Sequence, residues 1–179
     1  MSDKMSIRFD SSAYVLLKII PGKIWFVFAE FIDNSISSYI QNRKELEKLN
    51  GPNFKLTIEL SYSKGEDKIT ITDNASGIDE KNWIRALEPG NIPENNKGGN
   101  EFGMGMKFSA VWLCNKWKLE SKNINESFER SVNWNYQNII NNKLEDLPFN
   151  KNYNPKIKHG TTITLTELEK NKLFPFQEA

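Results

Sequence analysis

Between the breakers Pro21-Gly22 and Asn50-Gly51-Pro52, the chain runs from Lys23 to Leu49 without a proline or glycine, apolar at first and closing on Arg43, Lys44, Glu45, Glu47 and Lys48. That pattern predicts one long helix from Lys23 to about Leu49. Ser11 and Ser12 precede the apolar run Ala13 to Ile20 and predict a short helix ahead of it. Beyond the long helix, Phe54 to Tyr62 and Lys68 to Thr72 alternate with period two around Lys64-Gly65-Glu66-Asp67, the pattern of an antiparallel hairpin. Ile78 to Leu87 reads as a short helix, and Glu88 to Asn100, with Pro89, Gly90, Pro93, Gly98 and Gly99, reads as a mobile loop. Phe102 to Cys114 enters a further helix, on which Cys114 and Trp112 are core residues. Lys116 to Ser121 and Ser127 to Trp134 then form a second hairpin. Asn135 to Lys158 is expected as a short helix and a long connection before the strand Thr161 to Thr166, with Ile163 and Leu165 on one face. Runs of helices and runs of strands predict an α+β chain, a helix layer on one mixed, largely antiparallel sheet, in a single domain over residues 1–179.

Composition narrows the function. With 24 Lys+Arg against 23 Asp+Glu, a net charge of +1 supplies no basic excess for a dedicated nucleic-acid surface. The lone Cys114 can complete neither an internal disulfide nor a Cys-based metal site, which points to a reducing, cytoplasmic setting. Met1 to Asp10 lacks the apolar core of a secretory signal, and the longest apolar stretch, Ile24 to Ile32, is interrupted by Glu30 and too short for a membrane span.

Three segments carry chemistry. On the long helix, Glu30, Asp33, Asn34, Ser37 and Gln41 share one side. A carboxylate among Phe26, Phe28, Phe31 and Ile32 costs several kcal/mol to bury unpaired, in order of magnitude, so it has a partner, has a function, or lies on an ordinary solvated stripe. Asp73-Asn74-Ala75-Ser76-Gly77 places a carboxylate and a flexible glycine at a strand end, which alone is also the composition of a simple turn. Gly98 to Lys107 brings glycines, free N–H groups and a lysine to the start of a helix, an anion-binding arrangement without P-loop or dinucleotide-fold spacing. His159, the single histidine, reads as a turn residue ahead of a strand, since no nucleophile motif accompanies it.

In this order, and with His159-Gly160-Thr161-Thr162-Ile163 near the end, these segments resemble the GHKL superfamily, the shared ATP-binding fold of gyrase B subunits, heat-shock chaperones, histidine kinases and MutL-type proteins. The chain is most similar to the MORC- and chaperone-like branch. The resemblance covers about residues 24 to 166 and implies a two-layer α+β sandwich of the Bergerat type. It implies that Asp73 accepts the adenine amino hydrogen, that Gly77 lets the chain approach the ring, and that Thr161 supports both through its hydroxyl and water. It makes Asn34 the Mg²⁺ ligand, Gly103 and Gly105 the N–H donors to the phosphates, Lys107 a phosphate neighbour, and Glu30 the residue that positions or deprotonates the attacking water. Residues from about 80 to 100 stand where the family has its ATP lid.

Glu30 favours hydrolysis over kinase activity, because histidine kinases typically carry Asn there. Ala75 departs from the glycine usual in that turn. The resemblance also implies a downstream or partner domain that completes the site, since related ATPases continue beyond the last motif, and it implies slow turnover without that domain. The expected function is Mg-dependent ATP binding with slow hydrolysis, coupled to an ATP-dependent homodimer or to a DNA or protein client, with no membrane partner. The alternatives are a nucleotide-binding regulatory module with little hydrolysis, or a protein kinase of the same fold.

Overall fold

The computed structural model describes residues 13–20, 22–87, 105–156 and 158–173. Helices α1 (Ala13–Ile19) and α2 (Ile24–Gln41) form where expected, but the long helix is broken at Asn42 and resumes as α3 (Arg43–Asn50). Asn42 has φ −112° and ψ 16°. Its side-chain amide donates to the Ser38 carbonyl and to Ser76 Oγ, both at 2.9 Å. That local capping bond and the long-range one compete with continued helical bonding, which an unbroken helical composition does not register.

Strands β1 (Ile58–Ser63) and β2 (Lys68–Asp73) form the first hairpin, β1 starting at Ile58 rather than Phe54. Of the expected lid, Glu80–Leu87 is helix α4, its N-terminus capped by Asp79 Oδ1 accepting from the Asn82 N–H at 2.7 Å; residues 88–100 lie outside the described residues. Helix α5 (Gly105–Leu113) leads into β3 (Cys114–Lys122), so Cys114 opens a strand instead of closing a helix. It is buried, and burial pushes its thiol up to about 12, an inert core residue as expected. Strand β4 (Phe128–Asn135), helix α6 (Tyr136–Asn141), strands β5 (Phe149–Tyr153) and β6 (Gly160–Leu168) and helix α7 (Lys170–Leu173) complete the order. Strand β5 replaces part of the expected connection: its Phe-Asn-Lys-Asn-Tyr sequence is exposed throughout, and only pairing with β4 makes it a strand.

The sheet order is β1-β2-β6-β3-β4-β5 and every described pairing is antiparallel. The expected mixed sheet is thus corrected to an antiparallel one among the described residues, because β6 returns to pair antiparallel with an inner strand of each hairpin. Register puts Ile69, Leu165, Trp117 and Trp134 in one row across the four inner strands, and Ile71, Ile163, Leu119 and Val132 in the next. All eight are buried in the core that α1, α2, α5 and α6 share. The alternate positions carry Thr70, Thr164, Lys118 and Asn133, then Thr72, Thr162, Glu120 and Ser131, so one face is apolar and the other polar. Trp83, Trp112, Trp117 and Trp134 are buried, and Trp117 stacks on Trp134 with centroids 5.4 Å apart.

Helix α5 is the most enclosed element, with Ser109 to Leu113 all buried. The carbonyls at its C-terminal end meet two ammonium groups: Lys18 Nζ donates to the Val111 carbonyl at 3.0 Å and to that of Cys114, the first residue of β3, at 2.9 Å, and Lys172 Nζ donates to the Trp112 carbonyl at 2.9 Å. Cations at a helix C-terminus satisfy its orphan acceptors and oppose its dipole.

Candidate functional site

The apolar face does not stay apolar. One step beyond Ile71, Ile163, Leu119 and Val132, the same register places Asp73, Thr161, Ser121 and Arg130 side by side on the same face. Asp73 Oδ1 accepts from the Thr161 N–H at 3.2 Å and from the Ala75 N–H at 2.9 Å, and Oδ2 accepts from Ser35 Oγ on α2 at 2.7 Å. Burial nevertheless pushes the Asp73 carboxyl above the ordinary aspartate range, against the opposing pull of these donors and of nearby His159. Thr161 reaches Asp73 through its backbone N–H, while its hydroxyl pairs with Ser121 Oγ at 2.9 Å. Ser121 Oγ also accepts from the Ile78 N–H at 2.9 Å, fastening the chain that leaves the turn.

Helix α2 is stitched to the same turn by a stripe of polar residues. Ser35 holds Asp73, and both Ser38 and Asn42 hold Ser76 Oγ, at 2.8 and 2.9 Å. Ser35 is 5% exposed and Ser76 2%, so these bonds are made out of water's reach. Composition passes over Ser35, Ser38, Ser121 and Asn42. The signal for Ser35 is its place: Val27 and Phe31 are buried at four-residue spacing on α2, and Ser35 is the next residue of that stripe.

Glycine is required at two positions here. Gly77 has φ +71°, and a Cβ there would overlap the Lys122 carbonyl. Gly160 has φ +135°, and a Cβ there would overlap the Asp73 carbonyl oxygen. Ala75 takes no left-handed backbone, so its departure from glycine strains nothing in the turn. His159 braces the turn from outside: Nδ1 donates to the Ala75 carbonyl at 2.7 Å, and Nε2 accepts from Asn50 Nδ2 at 2.9 Å. That makes it structural, as expected of a turn residue.

Glu30 and Asn34, one turn apart on α2, are both half-buried. Burial first, and then the charge of Asp33, push the Glu30 carboxyl above its ordinary range. A Cβ on Gly105 would collide with Glu30 Oε2, so the Glu30 carboxylate lies against the first turn of α5, close enough that only glycine leaves room for it. Lys107 follows in that helix at 3% exposure, already engaged in an interaction of its own. Gly103 lies outside the described residues. The structure thus joins Asp73, Gly77 and Thr161 in one cluster and Glu30 and Gly105 in another, with α2 and its Asn34 common to both.

Among the described residues no group of three His, Cys, Asp or Glu is placed to cage a metal, and no helix is long and apolar enough to cross a membrane. Residues 23–170 match the model of a family described as "Histidine kinase-, DNA gyrase B-, and HSP90-like ATPase". The match spans α2 through β6 and includes every site residue named above. No curated protein matches the chain.

Proposed function

The chain belongs to the histidine kinase-, DNA gyrase B- and HSP90-like ATPases, and from that premise we propose that it binds ATP with Mg²⁺ and hydrolyses it slowly. The observation that carries the reading is the Asp73 carboxylate, oriented by Ser35, Ala75 and Thr161 beside the glycine turn at Gly77. An acceptor held this rigidly suits the adenine amino group and disfavours guanine, which presents an oxygen there. Gly77 provides the close backbone approach to the base, and Thr161 supports Asp73. At the other cluster, the N–H groups of the first turn of α5, next to the Glu30 carboxylate for which Gly105 leaves room, fit a phosphate chain, with Gly103 and Lys107 as further contacts. Mg²⁺ dehydrates reluctantly and takes few protein ligands, so the Asn34 amide oxygen is a sufficient protein donor; the ion would neutralise phosphate charge. Glu30, its basicity raised by burial, orients and deprotonates the attacking water.

Within the family we place the chain in the MORC- and chaperone-like branch of Bergerat-type sandwiches, on the strength of Glu30. Its nucleotide state is coupled to homodimerisation, to a completing domain, or to a DNA or protein client, in the cytoplasm. A regulatory module that binds without hydrolysis is the second reading.

Calorimetric titration with ATP, ADP and GTP, with and without Mg²⁺, tests the proposal. We expect adenine-selective binding, and Asp73→Asn is expected to weaken it by roughly 10- to 100-fold. Equal affinity for GTP, or an unchanged Asp73→Asn variant, overturns the reading. The same substitution leaves stability at pH 7 equal or higher. Burial raises the folded-state pKa of Asp73 above its ordinary 3.8, so the folded chain holds the proton more tightly than the unfolded one. This group's contribution to stability falls as pH rises from about 3.8 through the raised value, and Asn removes the charge responsible. Thermal melts of both chains at pH 4 and pH 7 check the sign.

Gly105→Ala tests the second cluster. The atom its Cβ would strike is the end of a flexible side chain, so the fold accommodates it. Melting temperature is expected to stay within a few degrees, and ATP turnover to fall about tenfold as Glu30 is displaced.

A further inference from the structure

Where β2 and β3 end and β4 and β6 begin, there is a cavity of about 530 Å³. Asn74 and His159 line it, whereas Asp73, Gly77, Glu30 and Asn34 do not. Its lining carries three ammonium groups, Lys122, Lys156 and Lys158, and a single carboxylate, Glu126. Lys122 is 8% exposed and donates to the Pro155 carbonyl at 3.3 Å. Lys156 and Lys158 are exposed and form no ion pair among the described residues. Glu126 is already neutralised: Oε2 pairs with the buried Arg130 guanidinium, and Oε1 accepts from the Glu80 N–H at 2.9 Å. The amides of Asn74 and Asn50 are likewise committed, to the backbone around Thr57 and to His159. Recognition there falls to the lysines.

We infer that this cavity is a second binding site, for a small, multiply charged, phosphate-bearing anion. Its volume lies in the range of small-molecule pockets, about 300–1,000 Å³, which fits a compact ligand. Ammonium groups bind phosphate as point charges. A singly charged carboxylate ligand would compensate only one of the two exposed ammonium groups, Lys156 and Lys158, whereas a pyrophosphate or phosphomonoester matches both. The inference does not depend on the ATP reading, because none of the residues assigned to nucleotide lines the cavity.

Inorganic pyrophosphate, titrated into the full chain at fixed ionic strength without Mg²⁺, is the probe. We expect saturable one-to-one binding that weakens at least about tenfold in the double variant Lys156→Glu/Lys158→Glu and is unchanged in Lys107→Met, which removes an ammonium group from the proposed nucleotide site. Both lysines are exposed, so the variant folds, and matching melting curves check this. Absence of saturable binding overturns the inference. So does binding that survives the double lysine substitution, or binding lost in Lys107→Met, which would put the probe in the proposed nucleotide site.

Discussion

Glu30→Gln is expected to lower ATP turnover by about two to four orders of magnitude, the usual worth of a positioned general base, while ATP affinity stays within a few-fold. Gln keeps the shape and hydrogen-bonding reach of the side chain and removes only its charge and basicity. Because burial and Asp33 raise the Glu30 carboxyl above its ordinary 4.5, wild-type turnover should fall as pH drops through that raised value, where the base takes up its proton. The residual turnover of Glu30→Gln should lack that acid limb. Phosphate release against pH, beside calorimetry for affinity, gives both readouts. A variant as fast as wild type removes Glu30 from the chemistry, and a wild type that binds ATP without releasing phosphate replaces the ATPase reading with that of a regulatory module.

Gly77→Ala should be, with Gly160→Ala, among the most damaging small substitutions at the described glycines. The added methyl meets the backbone carbonyl of Lys122, which cannot swing aside as a side chain can, since this end of β3 is bound to the turn by Ile124 N–H donating to the Ser76 carbonyl at 2.8 Å. Overpacking costs about 1–3 kcal/mol and left-handed backbone at a non-glycine residue roughly 1–2 more. Against a typical stability of ~5–15 kcal/mol, a fall in melting temperature of about 10 °C follows, with nucleotide binding lost. Gly51→Ala is the control without the clash: Gly51 also has positive φ, +100° with ψ 158°, but nothing lies within 4 Å of its would-be Cβ, so it reports backbone strain alone. Equal melting temperatures for the two variants would show that the Lys122 contact is not tight.

Much of this is legible in the sequence itself. Period-two alternation located β2, β3, β4 and β6 because each carries a half-buried pattern, and the breakers around Pro21 and Gly51 bounded the α2–α3 region. Strand β5 was not legible, because Asn and Lys on an exposed edge carry no hydrophobic signal. The break at Asn42 was hidden for a different reason: its cause, Ser76, lies far along the chain. Of the candidate site, Asp73 to Gly77 was readable from composition as a turn, and as part of a site only through the family resemblance. Ser35, Ser38 and Ser121 were not, since a serine becomes significant only when packing removes it from water and aims it at a specific partner.

The row Asp73, Thr161, Ser121 and Arg130 has a consequence for biogenesis. Thr161 belongs to the last strand of the sheet in sequence, yet that strand pairs between β2 and β3 at its centre. On the ribosome the two hairpins emerge first, each with an inner edge unpaired, and such edges invite pairing with other chains. The acceptor on Asp73 acquires its Thr161 donor only when β6 inserts. A slip of one residue in that insertion would turn Thr161 to the opposite face and Ile163 out of the core. Ligand competence is therefore a late and register-sensitive event in the life of the chain, and nucleotide binding would report on correct strand insertion as directly as any spectroscopic probe of folding.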